Sequence, residues 1–565
     1  MFMPLQNGTS AGLPSRDTAR IYTTSIYKCL FLSNTMKKVL LTGVALMAFA
    51  AASFAQNTTS YTGTGAGQTS TQNQLGNGLQ STVKQGSSYS SDQGNSSLTD
   101  QKGKDNSAKV SQDLGSKNNR AGVTQTGGSA TVGGGNGNTA TITQETSSGG
   151  TATRTGVFGK DATAGEGNWA GILQGQQSNK STISQSNGSS SNFGEIYQTG
   201  SNNGQGAASG FSGGLPITTA APSPALKTAI VQDNNSVGNA ALIKQAGNNG
   251  GAVVNQSNGS SQNEATVDQQ AGGDGNKAAV SQDGTGGNSA LNTAKVTQSG
   301  NFGEANIVQS KNSFDNQATI SQNESNVPGS SSTAEIEQFN NAYGNIATIS
   351  QTGLYEAAAI YQRDNSHDNT ATINQTGTYA TLFNAYAEIN QVTEVANTEA
   401  TINQAGTDNR ATVTQTYAYN MAGGTARGAA SGGNTVLVNQ NQTSTGDNNI
   451  VKVLQGGDVS VGGGSGNITA GSKVTIDQAN SHNSAYLQQT GQSLTAKVSQ
   501  DGNYNLLAKE PSSPASNALQ LGSNYTLSVT QSAPGAISGA SNSAFVNSNN
   551  IGGGGITINQ TLTNN

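Results

Sequence analysis

Three kinds of side chain are scarce in this sequence, and each shortage removes a class of protein. Cysteine occurs once, at Cys29, in a stretch expected to be removed on maturation. The mature chain is therefore expected to hold no thiol, disulfide or cysteine metal site. Histidine occurs twice, His367 and His482, each in a short turn beside Asn or Ser. Both read as solvated turn residues, and no catalytic, cofactor-binding or metal-ligating set is expected, so the chain does not read as an enzyme. Charged residues make up 10% and aromatics 5%, too few for the charged surface and large-residue core of an ordinary globular domain. Long apolar runs are also missing: the one such stretch, Val39 to Phe49, is too short for a comfortable membrane span.

That stretch has a different reading. Met36-Lys37-Lys38 supplies a basic start, the apolar run follows, and Ser53-Phe54-Ala55 offers small residues before Gln56. This is a secretory signal over 36–55 with cleavage before Gln56. Residues 1–35 carry no repeat and read as a non-native N-terminal extension. The remaining chain has 21 basic and 30 acidic side chains, a formal charge of −9, which disfavours nucleic acid as a partner.

What is abundant is glycine, 75 residues, together with Asn, Gln, Ser and Thr in a recurring heptad, N-x-A-x-(V/I)-x-Q. Clear copies are Asn276, Ala278, Val280 and Gln282; Asn345, Ala347, Ile349 and Gln351; Asn369, Ala371, Ile373 and Gln375; and Asn409, Ala411, Val413 and Gln415. The four signature residues alternate, so an extended strand puts all of them on one face. A helix would scatter them. Allowing substitutions, 30 units close on a Gln between Gln85 and Gln560, most often 11, 13 or 16 residues apart. Glycines Gly284, Gly353, Gly377 and Gly406, two positions after the Gln, are expected to make the tight turns.

One unit cannot bury its apolar face alone, so the periodicity implies stacking. Two units make a strand–turn–strand–turn rung, and the 30 units give about 15 rungs of an all-β parallel solenoid: two in-register sheets over residues 80–560. Inward Asn and Gln would pair with their copies one rung away as amide ladders. Residues 56–79 lack a clean repeat and read as a flexible leader; 561–565 form a short tail. Gly/Pro-rich insertions, including those with Pro216, Pro222, Pro224, Pro328, Pro511 and Pro514, are expected to leave the stack as loops. Trp169 falls at an outward position.

The heptads, with Gln282-x-Gly284, Gln375-x-Gly377 and Asn345-x-Ala347-x-Ile349-x-Gln351-x-Gly353, resemble the curlin repeats of curli major subunits, secreted proteins of functional bacterial amyloid. The resemblance covers roughly Gln85 to Gln560. It implies an extracellular, biofilm-matrix fibre made by end-to-end homopolymerisation into cross-β amyloid. It also implies an outer-membrane secretion channel, a periplasmic chaperone and a nucleating minor subunit as partners. More units, long insertions and frequent loss of the strand-opening Ser separate this chain from the short curlin pattern. The alternative reading is a monomeric ice-binding or glycan-binding solenoid. Ice recognition calls for a regular outward T-x-T row, which Thr141 and Thr143 supply but Ala279/Ser281 and Lys295/Thr297 do not.

Overall fold

The computed structural model describes residues 57–63, 67–86, 94–113, 118–127, 137–145, 154–155, 161–162, 167–204, 228–284, 289–323, 331–377, 385–406, 408–416, 433–441, 449–455, 472–479, 483–490, 495–502, 518–521, 525–533, 547–548 and 554–561. The expected signal peptide, Cys29, His482, all the loop prolines named above and the tail beyond Thr561 lie outside them.

Alternation of small apolar and polar residues writes the architecture. In the strand Ile346–Gln351 the burial pattern alternates strictly: Ala347, Ile349 and Gln351 face in, while Ile346, Thr348 and Ser350 face out. Among the described residues thirty-four strands, many with this alternation, form two all-parallel sheets of 17, and successive strands along the chain fall in alternate sheets. The first sheet runs from Thr58–Gly63 to Asn547–Ser548, and the second from Thr69–Asn77 to Gly554–Thr561. Partners follow in one line in each sheet, so neither sheet closes on itself. A two-residue antiparallel pair, Arg154–Thr155 with Asp161–Ala162, stands apart from both.

Register is kept by identity. Gln317–Gln322 pairs with Ile346–Gln351, which pairs with Thr370–Thr376, so that Ala, Ile and Gln each sit directly over their copies. Between the sheets these Ala, Val and Ile residues make one continuous core from Val83 to Val529. Each buried branched side chain contributes roughly 1.5–3 kcal/mol, small per rung and large along the stack. At a strand spacing of about 4.8 Å the 17 rungs span roughly 80 Å.

The rung count exceeds that of the sequence repeat because four strands carry little of its signature. Thr58–Gly63 and Thr69–Asn77, in the segment expected to be a flexible leader, pair in register with Gln80–Gln85 and Ser96–Lys104. Ala518–Leu521 and Asn547–Ser548 extend the first sheet at the other end.

The two edges of the solenoid differ. Crossing from the first sheet to the second, the chain takes seven residues from the closing Gln to the next opening position at Gln256–Asn263, Gln309–Asn316, Gln338–Asn345 and Gln362–Asn369. On this edge a third column of parallel bridges runs Ser190, Val237, Ser261, Ala290, Phe314, Tyr343, His367 and Ala396. Crossing back is shorter at Gln298–Gly303, five residues. Left-handed backbone does the turning, and it falls on Asn and Asp about as often as on Gly: Asn312 and Asp315 in one turn, Asp364, Asn365 and Asp368 two rungs along. Asn and Asp tolerate this region because their short side chains bond locally. Of the four glycines expected to turn the chain, only Gly406 has a positive φ (98°). Gly353 answers a different need, since a Cβ there would lie 2.6 Å from the Gly377 nitrogen in the next rung.

Candidate assembly ladder

The sixteen signature residues of the four clearest heptads are all buried, none more than 3% exposed. The Ala and Val/Ile members pack between the sheets. The amides organise everything else.

Inward Gln residues along the stack bond in three directions. Gln351 donates from Nε2 to Gln375 Oε1 (2.9 Å) in the next rung and to the Thr333 carbonyl (3.0 Å) in the opposite sheet, while its Oε1 accepts from Gln322 Nε2 (2.9 Å) in the rung before. Gln282 repeats this in the first sheet, accepting from Gln256, donating to Gln309 and crossing to the carbonyls of Glu264 and Asn292. Gln375 and Gln415 do the same with Gln404 and Gln455. The burial penalty of an amide is thus offset without water.

All 26 inter-rung Gln–Gln bonds among the described residues run the same way, Nε2 of the earlier rung to Oε1 of the later, at 2.7–3.0 Å. The stack therefore has a chemical direction. Each ladder begins on an Oε1 acceptor, at Gln74 in the second sheet and at Gln85 in the first, and aligned amide chains polarise one another. The break in the pattern is informative: Gln85 Oε1 is buried with no partner because Gly63 stands where a preceding Gln would donate.

The opening Asn residues work differently from the amide-to-amide ladder expected of them. Asn345 Oδ1 accepts the backbone N–H of Asn369 (3.0 Å), and its Nδ2 donates to the Ser366 carbonyl (2.9 Å) in the next turn. Asn369 treats Thr398 and Val395 likewise, and Asn276 treats Gly303 and Gly300. Asn409 donates to the Ala405 carbonyl, and its buried Oδ1 has no partner among the described residues. Asn thus ties each turn to the turn above it. Amide-to-amide contact appears only as a secondary bond, at Asn292–Asn263 and Asn316–Asn292 (both 3.2 Å). The strand following Asn opens on a backbone N–H that would otherwise lack a partner, and Oδ1 supplies it.

The partner that sequence reasoning missed is a column of buried serines three residues before Asn: Ser189, Ser236, Ser260, Ser289, Ser313 and Ser366. Their carbonyls accept from Asn one rung earlier, as Ser236 does from Asn192 and Ser260 from Asn239. An S-x-x-N signature ahead of the heptad is the signal that marks them.

Electrostatics is concentrated in a few carboxyls. Glu356, 1% exposed, stands where other units have their opening residue and accepts from the N–H groups of Gly353 (3.1 Å) and Gly377 (2.5 Å). Burial outweighs those bonds and pushes its pKa up to about 7. Glu335 is pushed up to about 7 by burial and by the neighbouring Glu337 charge, against hydrogen bonds from Asn306 and Tyr361. His367 lies on the bridged edge, its ring stacked on Tyr343 (4.5 Å) and its Nδ1 3.0 Å from Asp368 Oδ2. Among the described residues no group of three His, Cys, Asp or Glu is placed to hold a metal ion, and no helix is long and apolar enough to cross a membrane. No protein-family model matches the sequence, and no curated protein matches it.

Proposed function

We propose that this chain is the bulk subunit of an extracellular fibre of the curli type, assembling end to end by continuation of its own stack. The observation that carries the reading is the unidirectional Gln ladder running through two open sheets. Each end of the stack leaves an open strand edge in both sheets, and the single direction of the ladder makes a second copy in the same orientation the most complete continuation of either end. Such head-to-tail contacts do not close, and they generate filaments. Under this reading the fibre serves adhesion, surface colonisation and the biofilm matrix, and the chain has no catalytic task. A secretion channel, a chaperone and a nucleating minor subunit complete the proposal, on the resemblance of the heptads to curlin repeats.

The outward rows do not favour ice recognition. In the second sheet the row above Thr266 reads Lys295, Thr319, Thr348, Thr372, Thr401 and then Leu437, and the neighbouring row mixes Asp, Thr, Ser and Asn.

The test is time-resolved assembly of residues 56–565 followed by high-resolution imaging. Filaments with an axial repeat of about 4.8 Å and 17 rungs per subunit are expected. A folded monomer that stays monodisperse at every concentration, with and without seeds, overturns the proposal.

A further inference from the structure

The outer face of the second sheet is interrupted at one place. Position by position, the row Leu98, Gly122, Gly171, Glu195 runs along the stack, so two successive rungs present no side chain outward. A Cβ built on Gly122 meets nothing within 4 Å. The result is a trough of about 480 Å³, floored by these glycines and bordered by Leu98, Arg120, Thr124 and Trp169. Two rung spacings separate Leu98 from Gly171, so it is about 10 Å long. Trp169 is the single tryptophan of the chain, and its ring stacks on Phe193 in the next rung (4.6 Å).

From this arrangement we infer that the trough is a binding site for the pyranose rings of a polysaccharide chain, on the side of the solenoid and independent of its ends. The occupant must be thin, because the floor is one side chain deep. It must be amphipathic, because the indole and Leu98 offer apolar contact while the Arg120 guanidinium and the Thr124 hydroxyl offer hydrogen bonds from the two walls. A sugar ring meets both conditions with its C–H face and its equatorial hydroxyls. A peptide strand does not, since the backbone under the trough is already paired in the ladder and offers no edge. An acyl chain would leave the Thr124 hydroxyl facing hydrocarbon. The size lies within the range of small-ligand sites, about 300–1,000 Å³.

The inference rests on the fold and not on self-assembly, so each can fail alone. The lone tryptophan makes the test direct: its fluorescence in the full mature chain is titrated with cello-oligosaccharides and, separately, with oligo-uronates. A saturable change in emission with either sugar is expected. In Gly122→Thr, which places in the trough the residue found at Thr266 in the same row, binding falls roughly tenfold or more. Circular dichroism and the assembly assay should be unchanged in that variant, which excludes misfolding as the cause. No emission change with either sugar overturns the inference. So does equal binding by Gly122→Thr, or a change that follows protein concentration alone, which would assign the trough to a second copy.

Discussion

Substituting Glu for Gln351 isolates the ladder from the packing around it. The two side chains have the same shape, so the Ala/Ile core stays filled. Gln351 is fully buried and donates to Gln375 Oε1 and the Thr333 carbonyl. An ionised carboxylate replaces both donors with an acceptor facing two acceptors. Each orphaned buried acceptor costs roughly 1–3 kcal/mol, and the uncompensated charge adds several more. At neutral pH the loss is on the order of 5 kcal/mol. The protonated acid can give one O–H to either acceptor, so in acid the loss shrinks to about 1–3 kcal/mol. Burial holds this carboxyl above the ~4.3 of a free glutamate. Stability is therefore retained below the unfolded-state pKa and lost as pH rises through the folded one. Because repeats couple mainly to their neighbours, the readout is hydrogen exchange in Gln317–Gln322, Ile346–Gln351 and Thr370–Thr376. The outward control Ser350→Glu should change protection by no more than about 0.5 kcal/mol. A Gln351→Glu loss that is the same in acid and at neutral pH would falsify the ladder argument.

Three further predictions follow from other positions. Glu356, with its pKa raised to about 7, penalises folding progressively as pH climbs from the free-carboxyl range to about 7, by on the order of 3 kcal/mol, and Glu335 adds a like penalty over the same range; Glu356→Gln should remove about half of that slope from the urea-midpoint profile, and an unaltered slope would show that Glu356 does not titrate in this range. Gly63→Gln supplies the missing donor to Gln85 Oε1 and should raise exchange protection of Gln80–Gln85 by about 1 kcal/mol, whereas unchanged protection would mean the acceptor is satisfied another way. Ile349→Ala opens a cavity in a site with no exposure and should cost about 2–5 kcal/mol locally, against under about 1 kcal/mol for the outward Thr348→Ala; comparable losses at both would place the core on the wrong face.

The sequence made the solenoid legible where side-chain identity repeats at period two. At Asn369–Gln375 alternation, register and inward face can all be read from seven letters, because stacked copies demand the same residue in the same place. Legibility failed where backbone or turn geometry decides. Thr58–Gly63 has neither the Ala nor the closing Gln, so its membership in the first sheet rests on backbone pairing alone. Turns were read through the glycine two positions after Gln, while Asn312, Asp315, Asn365 and Asp368 share the left-handed conformations with glycines elsewhere in the turns, such as Gly238 and Gly344. Asn345 was read as a rung-to-rung amide, yet the unpaired N–H of the next strand is the stronger claimant on its oxygen. The trough at Gly122 and Gly171 was invisible because two glycines 49 residues apart become neighbours only through the register of the second sheet.

The inequality of the two edges also bears on how such a chain can change length. Excising residues 346–369 removes one strand from each sheet and one crossing of each kind, and it joins Asn345 to Thr370, whose register already matches that of Ile346. The shortened protein should fold with every downstream strand still in its own sheet. Excising only 346–356 would instead transpose every later strand and put each later crossing on the opposite edge, away from the column of parallel bridges it belongs to. Gain or loss of material by whole rungs is therefore nearly silent, while half-rung changes are disruptive. Subunit length is a quantity that recombination can adjust in steps of about 5 Å without redesigning a single contact.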